Sequence, residues 1–459
     1  MIAISTTKIE KKEKEIKKLF QNDDSFLIKD VYSAYDKKLL CKICFINGLS
    51  NPNLIGELII KPLLAYGDVK NFITTGNIAF EKDLDKAINK MLTGDCIVLT
   101  ADDEYLIVDV KNNIFRSVSE PVNESLINGP RDGFIENILI NVSLVRRRIR
   151  THKFKVNYIT LNSNDNGMIA LVYVEDIVDQ KALSLIKKRI NNNLDSLSID
   201  SNLLRDRITD FYLSPYKGIG DTERPDVLAF KLLEGKIGII CDGSPMVLYA
   251  PYLFYENFHT VDDYYVNYLY ASVNRIIRFT GYFLSIILPG AYICLITYHQ
   301  ELIPTKLALS IQSSRQGVPF PSTLEVLVLQ LAFEVLKEAG TKIPTALGTS
   351  LSIVGTLIIG QATVEAKLIS ISSVIVVALA SVTGLINRKL NTSTIIFRLF
   401  LIIMSALLGI NGLIIGSLLL VIYVNSLESF ERNYVTEMFS FNVLHVSKTY
   451  FKYPNRKKE

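Results

Sequence analysis

Histidine and cysteine are scarce in this chain of 459 residues, which has four of the first and five of the second. Their spacing is poor for chemistry. His152, His259, His299 and His445 stand alone, without the neighbours a metal site needs. Cys41 and Cys44 spell C-x-x-C inside an alternating strand pattern, where residues three apart point to opposite faces and do not share a metal. The absence of a paired cysteine framework agrees with a reducing compartment. Phosphate-cradling G-x-x-x-x-G-K-[ST] loops, G-x-G-x-x-G turns and G-x-S-x-G elbows are all missing, so no enzymatic constellation and no cofactor is implied. A net charge of +4 is small for this length, and no basic face interleaved with aromatics is available to track a phosphate backbone. Nucleic acid is therefore not an expected partner. The apolar run before Lys8 is too short for a secretory signal, so the N-terminal region is expected in the cytosol.

Charge, by contrast, is plentiful but uneven: residues before Gly281 carry most of it, and Gly281 to Val424 carries little. The expected fold class is an α/β cytosolic N-terminal region of two subdomains, followed by an all-α multi-pass membrane domain of about four to six membrane helices, some broken or re-entrant. The expected boundaries are a charged segment at 1–26, α/β subdomains at 27–128 and 129–265, a helical membrane domain at 266–427 and a cytosolic tail at 428–459. Lys8 to Phe20 reads as a short helix with few apolar contacts, expected to dock weakly. Strands are expected at Leu39 to Ile46, Cys96 to Thr100, Tyr105 to Val110, Lys155 to Leu161, Met168 to Val174, Lys236 to Cys241 and Met246 to Ala250. A helix over Phe134 to Arg150 ends in Arg146, Arg147, Arg148 and Arg150, which complement its dipole. The element order argues a sandwich with helices on one side.

In the apolar half, Gly281 to Tyr298 is a span interrupted by Pro289 and Gly290. Leu347 to Val364 and Leu368 to Ile386 read as a helical hairpin. Ser393 to Val424 would be about 48 Å long as one helix, against a hydrocarbon core of about 30 Å, so Asn411 and Gly412 are expected to divide it. Between these lies Gln312 to Gly340. Ser322 and Glu325 have the spacing of a capping box and Gly340 that of a helix stop. Gln330, Glu334 and Lys337 share a face, either wet at the interface or with Glu334 on an aqueous path. Arg275, Arg278, Arg388, Lys389 and the basic C-terminus mark the cytosolic side, so either Ser322 to Ala339 crosses, which is the favoured reading and gives six crossings, or it lies in the interface and one later hairpin is not a hairpin.

Small residues recur every fourth position at Gly348, Ser352, Thr356 and Gly360, with Gly355, Gln361, Thr363 and Glu365 close by. Such a stripe serves tight helix packing or lines a pore with polar groups; both readings stay open. In the α/β region, Arg131, Glu223, Arg224, Asp226 and Asp242 lie in loops that either cap helices and turns or bind a partner.

Four segments carry a family resemblance: GPRDGFIENILINVSLVRRRI at Gly129 to Ile149, TERPDVLAFKLLEGKIGIICDGSP at Thr222 to Pro245, ELIPTKLALSIQSSRQGVPFP at Glu301 to Pro321, and VGTLIIGQATVEAKLIS at Val354 to Ser370. In order and with this spacing, the chain resembles the A-subunit family of bacterial spore germinant receptors (the GerA family) from about Leu39 to Leu427. The resemblance implies an integral protein of the inner spore membrane, not an enzyme. It further implies nutrient sensing together with a transporter-like B subunit and a lipoprotein C subunit. Homo-oligomers and a germinant-gated ion channel are implied as well. Two departures stand out: Lys367 occupies a position where glycine is implied, and Glu431, Arg432 and Asn433 replace the implied Gly-Val-Pro. Other classes remain in view, a secondary transporter hinted at by Pro289 and Gly290, or a non-conducting scaffold with a partner-binding cytosolic domain.

Overall fold

The computed structural model describes residues 2–33, 39–66, 77–112, 121, 124, 129–161, 167–192, 200–342 and 360–435. Contacts divide the chain into two units. One comprises Met1–Tyr212, Gly218–Tyr252 and Ser429–Arg432, the other Leu213–Lys217, Leu253–Glu428 and Asn433–Glu459.

In the first unit, short β-branched and aromatic runs pair into two five-stranded sheets. The first holds β1 (Phe26–Tyr32), β2 (Leu39–Ile46), β3 (Ile78–Glu81), β4 (Cys96–Leu99) and β5 (Tyr105–Val108), in the order β1-β2-β4-β5-β3. The second holds β6 (Phe154–Thr160), β7 (Met168–Val174), β8 (Gly220–Thr222), β9 (Ile237–Cys241) and β10 (Val247–Ala250), in the order β6-β7-β9-β10-β8. All pairings are antiparallel and the positional order is the same twice. The two halves thus repeat one topology, although no repeat is visible in the residues.

Strands β4 and β5, CIVL and YLIV, are buried at every position. A run apolar on both faces requires cover on both faces. One face of the first sheet takes Ile9 and Ile16 of α1 (Ile2–Leu19) and Ile88 and Met91 of α2 (Leu84–Met91). The other takes Ile55, Ile59 and Leu63 from the helical stretch at 52–66. The second sheet is covered by α3 (Ile138–Arg148) and α6 (Pro225–Leu233) on one side, and by α4 (Gln180–Asn192) and α5 (Ser201–Ile208) on the other. Helices on one side only is therefore corrected. So is the weakly docked N-terminus: Ile9 and Ile16 are core residues, and Glu13 bridges Lys17 and Lys42. Cys41 and Cys44 fall in the two different cores, and burial pushes the Cys41 thiol up to about 12, far from a reactive thiolate.

The arginine run has a different task from dipole compensation. Arg146 pairs with Asp23 at 2.6 Å, both side chains fully buried, donates to Ser25 Oγ at 2.8 Å and lies 4.8 Å over the Phe154 ring. Arg147 donates to Asn112 O, and Arg148 to Asp132. Asp24 N–H donates to Val156 O and Lys155 Nζ to Leu19 O. The segment joining α1 to β1 is thereby laid against β6, locking one sheet to the other.

The second unit is helical: α7 (Tyr268–Thr297), α8 (Thr305–Ser314), α9 (Ser322–Lys342), α10 (Ile371–Leu385) and α11 (Asn391–Asn425). Helix α7 runs unbroken through Pro289. Helix α10 has 15 residues, about 22 Å at 1.5 Å per residue, so Leu368 to Ile386 is shorter than a full span. Helix α11 does divide, but at Gly409 (φ 61°, ψ −139°) rather than at Asn411 and Gly412. Positive φ is cheap only for glycine. The Phe397 and Tyr423 rings lie 5.9 Å apart, whereas a straight helix would separate them by about 39 Å. The chain therefore turns back as a hairpin, each arm under about 30 Å. Arg388–Asn425 and Tyr268–Thr297 are, among the described residues, the two stretches long and apolar enough to cross a membrane, and the first of these is this hairpin.

The arms touch at Gly412, where an added Cβ would lie 2.0 Å from Met404 O. Gly412→Ala is expected to cost about 3 kcal/mol, because backbone cannot yield. Gly416→Ala, whose one close contact is the Leu401 Cδ2 methyl at 2.8 Å, with Met404 Cβ at an ordinary 3.5 Å, should cost about 1 kcal/mol. Unfolding midpoints in detergent compare the two; equal costs would argue against this hairpin.

Candidate functional site

Helix α9 carries Glu325 and Glu334 nine positions apart, which at about 100° per residue point to opposite sides of the helix, and Glu338, which pairs with Lys342 at 3.0 Å. Each finds a different partner. Glu325 does not close a capping box with Ser322; the first turn is bonded to Pro321 O. Its carboxylate accepts instead from the Ser370 N–H at 2.8 Å, Ser370 Oγ at 2.6 Å and Ser373 Oγ at 2.9 Å, with Arg315 Nη2 at 3.4 Å. Ser370 is the N-cap of α10, so a buried anion sits where the helix dipole and free N–H groups favour one. Helix α9 continues past Gly340 to Lys342.

Glu334 accepts from Gln330 Nε2 at 3.1 Å and Lys337 Nζ at 3.3 Å, and faces Arg398 Nη1 at 3.6 Å. Lys337 also reaches Asn391. Protein groups hold this acid on one side, while 21% of its side chain stays exposed. Arg398, from the first arm of α11, is 2% exposed. Its Nε donates to Ser285 O at 2.8 Å and its Nη2 to Ala380 O at 3.1 Å. The first of these carbonyls has a reason to be available: four residues on stands Pro289, which has no N–H to give it. The arginine thus satisfies the carbonyl that proline frees inside α7, the condition under which membrane helices tolerate proline. Gly384 leaves room for the guanidinium, since a Cβ there would lie 2.9 Å from Nη2.

Arg398 escaped the sequence reading, although it is the one charged residue in the apolar run from Ser393 to Val424, and an ionisable residue in such a run is by default a functional candidate. Of the small-residue stripe, Gly348, Ser352, Gly355 and Thr356 lie outside the described residues. Among the described residues, Gly360 has only Val374 near a would-be Cβ, at 4.0 Å. Gln361 and Glu365 are exposed and Thr363 is half-buried.

The loop residues of the α/β unit turn inward. Arg224 is fully buried, pairs with Asp226 through Nε at 3.1 Å and Nη2 at 2.9 Å, and donates to Pro130 O. Glu223 O accepts from Phe134 N–H, Asp242 caps α3 through the Ile138 N–H, and Arg131 is exposed. Glu223, Arg224 and Asp242 thus hold Phe134, Pro130 and Ile138, and Asp226 holds Arg224.

Across the helical unit the usual arrangement is reversed. On α9, Leu324, Val328, Leu331 and Val335 are exposed while Glu325 and Gln330 are buried. Helix α11 exposes Leu399, Ile403, Leu407 and Leu418 while burying Arg398 and Ser405. Polar inside and apolar outside is stable only where the surroundings are hydrocarbon, so an α/β unit is joined to a membrane-embedded helical one. The model of the family described as "Bacillus/Clostridium GerA spore germination protein" matches residues 14–459, and the chain belongs to that family. It is 34% identical over 454 residues to spore germination protein KA of Bacillus subtilis (strain 168), covering 96% of this chain and 83% of that one. Spore germination protein GerLA of Bacillus cereus is 31% identical over 411 residues, 86% and 83% of the two chains. A Bacillus subtilis membrane protein, YfkQ, is 32% identical over 412 residues, 87% and 80%. The family match extends past Ser429, beyond the point where Glu431 to Asn433 depart from the implied pattern. Lys367 has φ 53°, the left-handed region in which a glycine would carry no strain.

Proposed function

We propose that this chain is the membrane subunit of a nutrient germinant receptor in the inner spore membrane, with its α/β unit in the cytosol. It acts with a transporter-like B subunit and a lipoprotein C subunit, and several copies of it form a germinant-gated ion channel. Nutrient bound by the partners shifts a two-state assembly, which requires that it bind the two states with different affinity. The observation that carries this reading is family membership combined with a charge, Arg398, buried among apolar helices and facing the partly exposed Glu334. Ions pass beside the helix ending at Gly360 to Glu365. Support for that assignment is that Gln361 and Glu365 are exposed, and that among the described residues only Val374 comes near a would-be Cβ at Gly360. With α7, α9, α10 and the two arms of the α11 hairpin, the membrane helices fall within the range of about four to six. No enzymatic activity is proposed. The transporter alternative loses its pointer, because α7 is continuous through Pro289.

Receptor reconstituted in liposomes is expected to pass cations when nutrient is added. Gly360→Phe should lower that conductance about tenfold. A bilayer silent with every nutrient tried would count against the channel, and undiminished flux in Gly360→Phe would move the path elsewhere.

A further inference from the structure

A cavity of about 200 Å³ lies within the helical unit between α7 and the returning arm of α11, lined by Phe279, Phe283, Phe397, Leu401 and Val421 among others. Its polar members are already engaged. Tyr216 and Tyr282 share a hydrogen bond of 2.7 Å, Ser417 Oγ donates to Ile414 O, and Asn425 Nδ2 donates to Val421 O. The rest of the wall is apolar, and an apolar cavity of this kind does not hold water. Val421 is itself exposed, as are Leu284, Leu418 and Ile422 on the same helices, so the cavity is continuous with the face that meets hydrocarbon. Phe279 to Ile287 span about 12 Å beginning one residue beyond Arg278, and Phe397 stands two turns into the first arm. The cavity therefore belongs to the leaflet on the side of Arg278 and Arg388. We infer that it is a binding site for one acyl chain of a phospholipid from that leaflet, wedged between α7 and the hairpin. The inference rests on the membrane placement of these helices and not on conduction.

The chain has no tryptophan, which permits single reporters. Phe397→Trp places one in the cavity, where the native residue is 7% exposed, and Leu418→Trp places one on the outer face, where it is 59% exposed. Full-length protein in detergent is titrated with phosphatidylcholine brominated on its acyl chains. The Phe397→Trp emission is expected to fall about twofold and to saturate near about one lipid per chain. Leu418→Trp should instead track the brominated fraction of the micelle. Adding Leu401→Phe, which fills the cavity, should abolish the saturable part; Phe283→Trp replaces the first reporter if that variant does not fold. An unquenched cavity reporter, quenching that does not saturate, or quenching by brominated free fatty acid but not phospholipid overturns the inference. A Leu418→Trp reporter blind to bromine at every ratio would overturn the membrane placement itself.

Discussion

Arg398→Met is expected to destabilise the helical unit by about 3 kcal/mol, and Pro289→Ala added to it to return about 1 to 2 kcal/mol. The methionine keeps the volume but leaves Ser285 O without a donor in apolar surroundings, since Pro289 cannot supply one. An orphaned carbonyl there costs about 1 to 3 kcal/mol. Glu334 loses one cation but keeps Lys337 and Gln330, so its share of the loss is the smaller one. Alanine at 289 restores the helical N–H and with it the bond to Ser285 O. In the otherwise native chain the same change should shift stability by under about 1 kcal/mol, because Arg398 already occupies that oxygen. Detergent-solubilised protein unfolded by a denaturing surfactant reads all four corners of the cycle. If Pro289→Ala rescues nothing, the arginine is not there for the carbonyl.

Asp23→Ala is the counterpart in the α/β unit, with an expected loss of about 3 to 5 kcal/mol. Asp23 and Arg146 are both fully buried, and truncating the acid leaves a guanidinium with no counter-charge and no route to water. Desolvation of that ion outweighs the hydrogen bond that Ser25 still offers. Asp23→Asn should fall between the two, keeping shape and an acceptor but not the charge. Urea titration of the full chain, followed by far-ultraviolet circular dichroism of the sheets, checks both. An alanine variant as stable as the native chain would mean that the sheets are held together elsewhere.

Much of this molecule is legible in its residues, and the reason is local. Period-2 runs such as LLCKICFI, the long apolar stretch of α7 and the excess length of Ser393 to Val424 each state their own secondary structure, and the last states that it must break. Where it breaks was less legible. Asn411 and Gly412 look like the interruption, but the positive φ falls on Gly409, and Gly412 is needed for the close approach of the arms. The capping box at Ser322 and Glu325 is a fair local inference overridden by a better set of donors, a second helix N-terminus 45 residues away in sequence. Helices on one side failed because strand pattern alone does not reveal how many layers cover a sheet; full burial of CIVL and YLIV does.

What the sequence by itself determined was the division into a charged α/β half and an apolar helical half and which stretches are helix or strand, since these follow from composition and periodicity along the chain; the family resemblance rested on four particular segments. Only the tertiary structure decided how charges are used. Arg146 to Asp23, Glu325 to Ser370 and Arg398 to Glu334 are contacts between residues far apart in the chain. No periodicity encodes such a pairing, because its energy depends on burial, and burial exists only once the elements have packed.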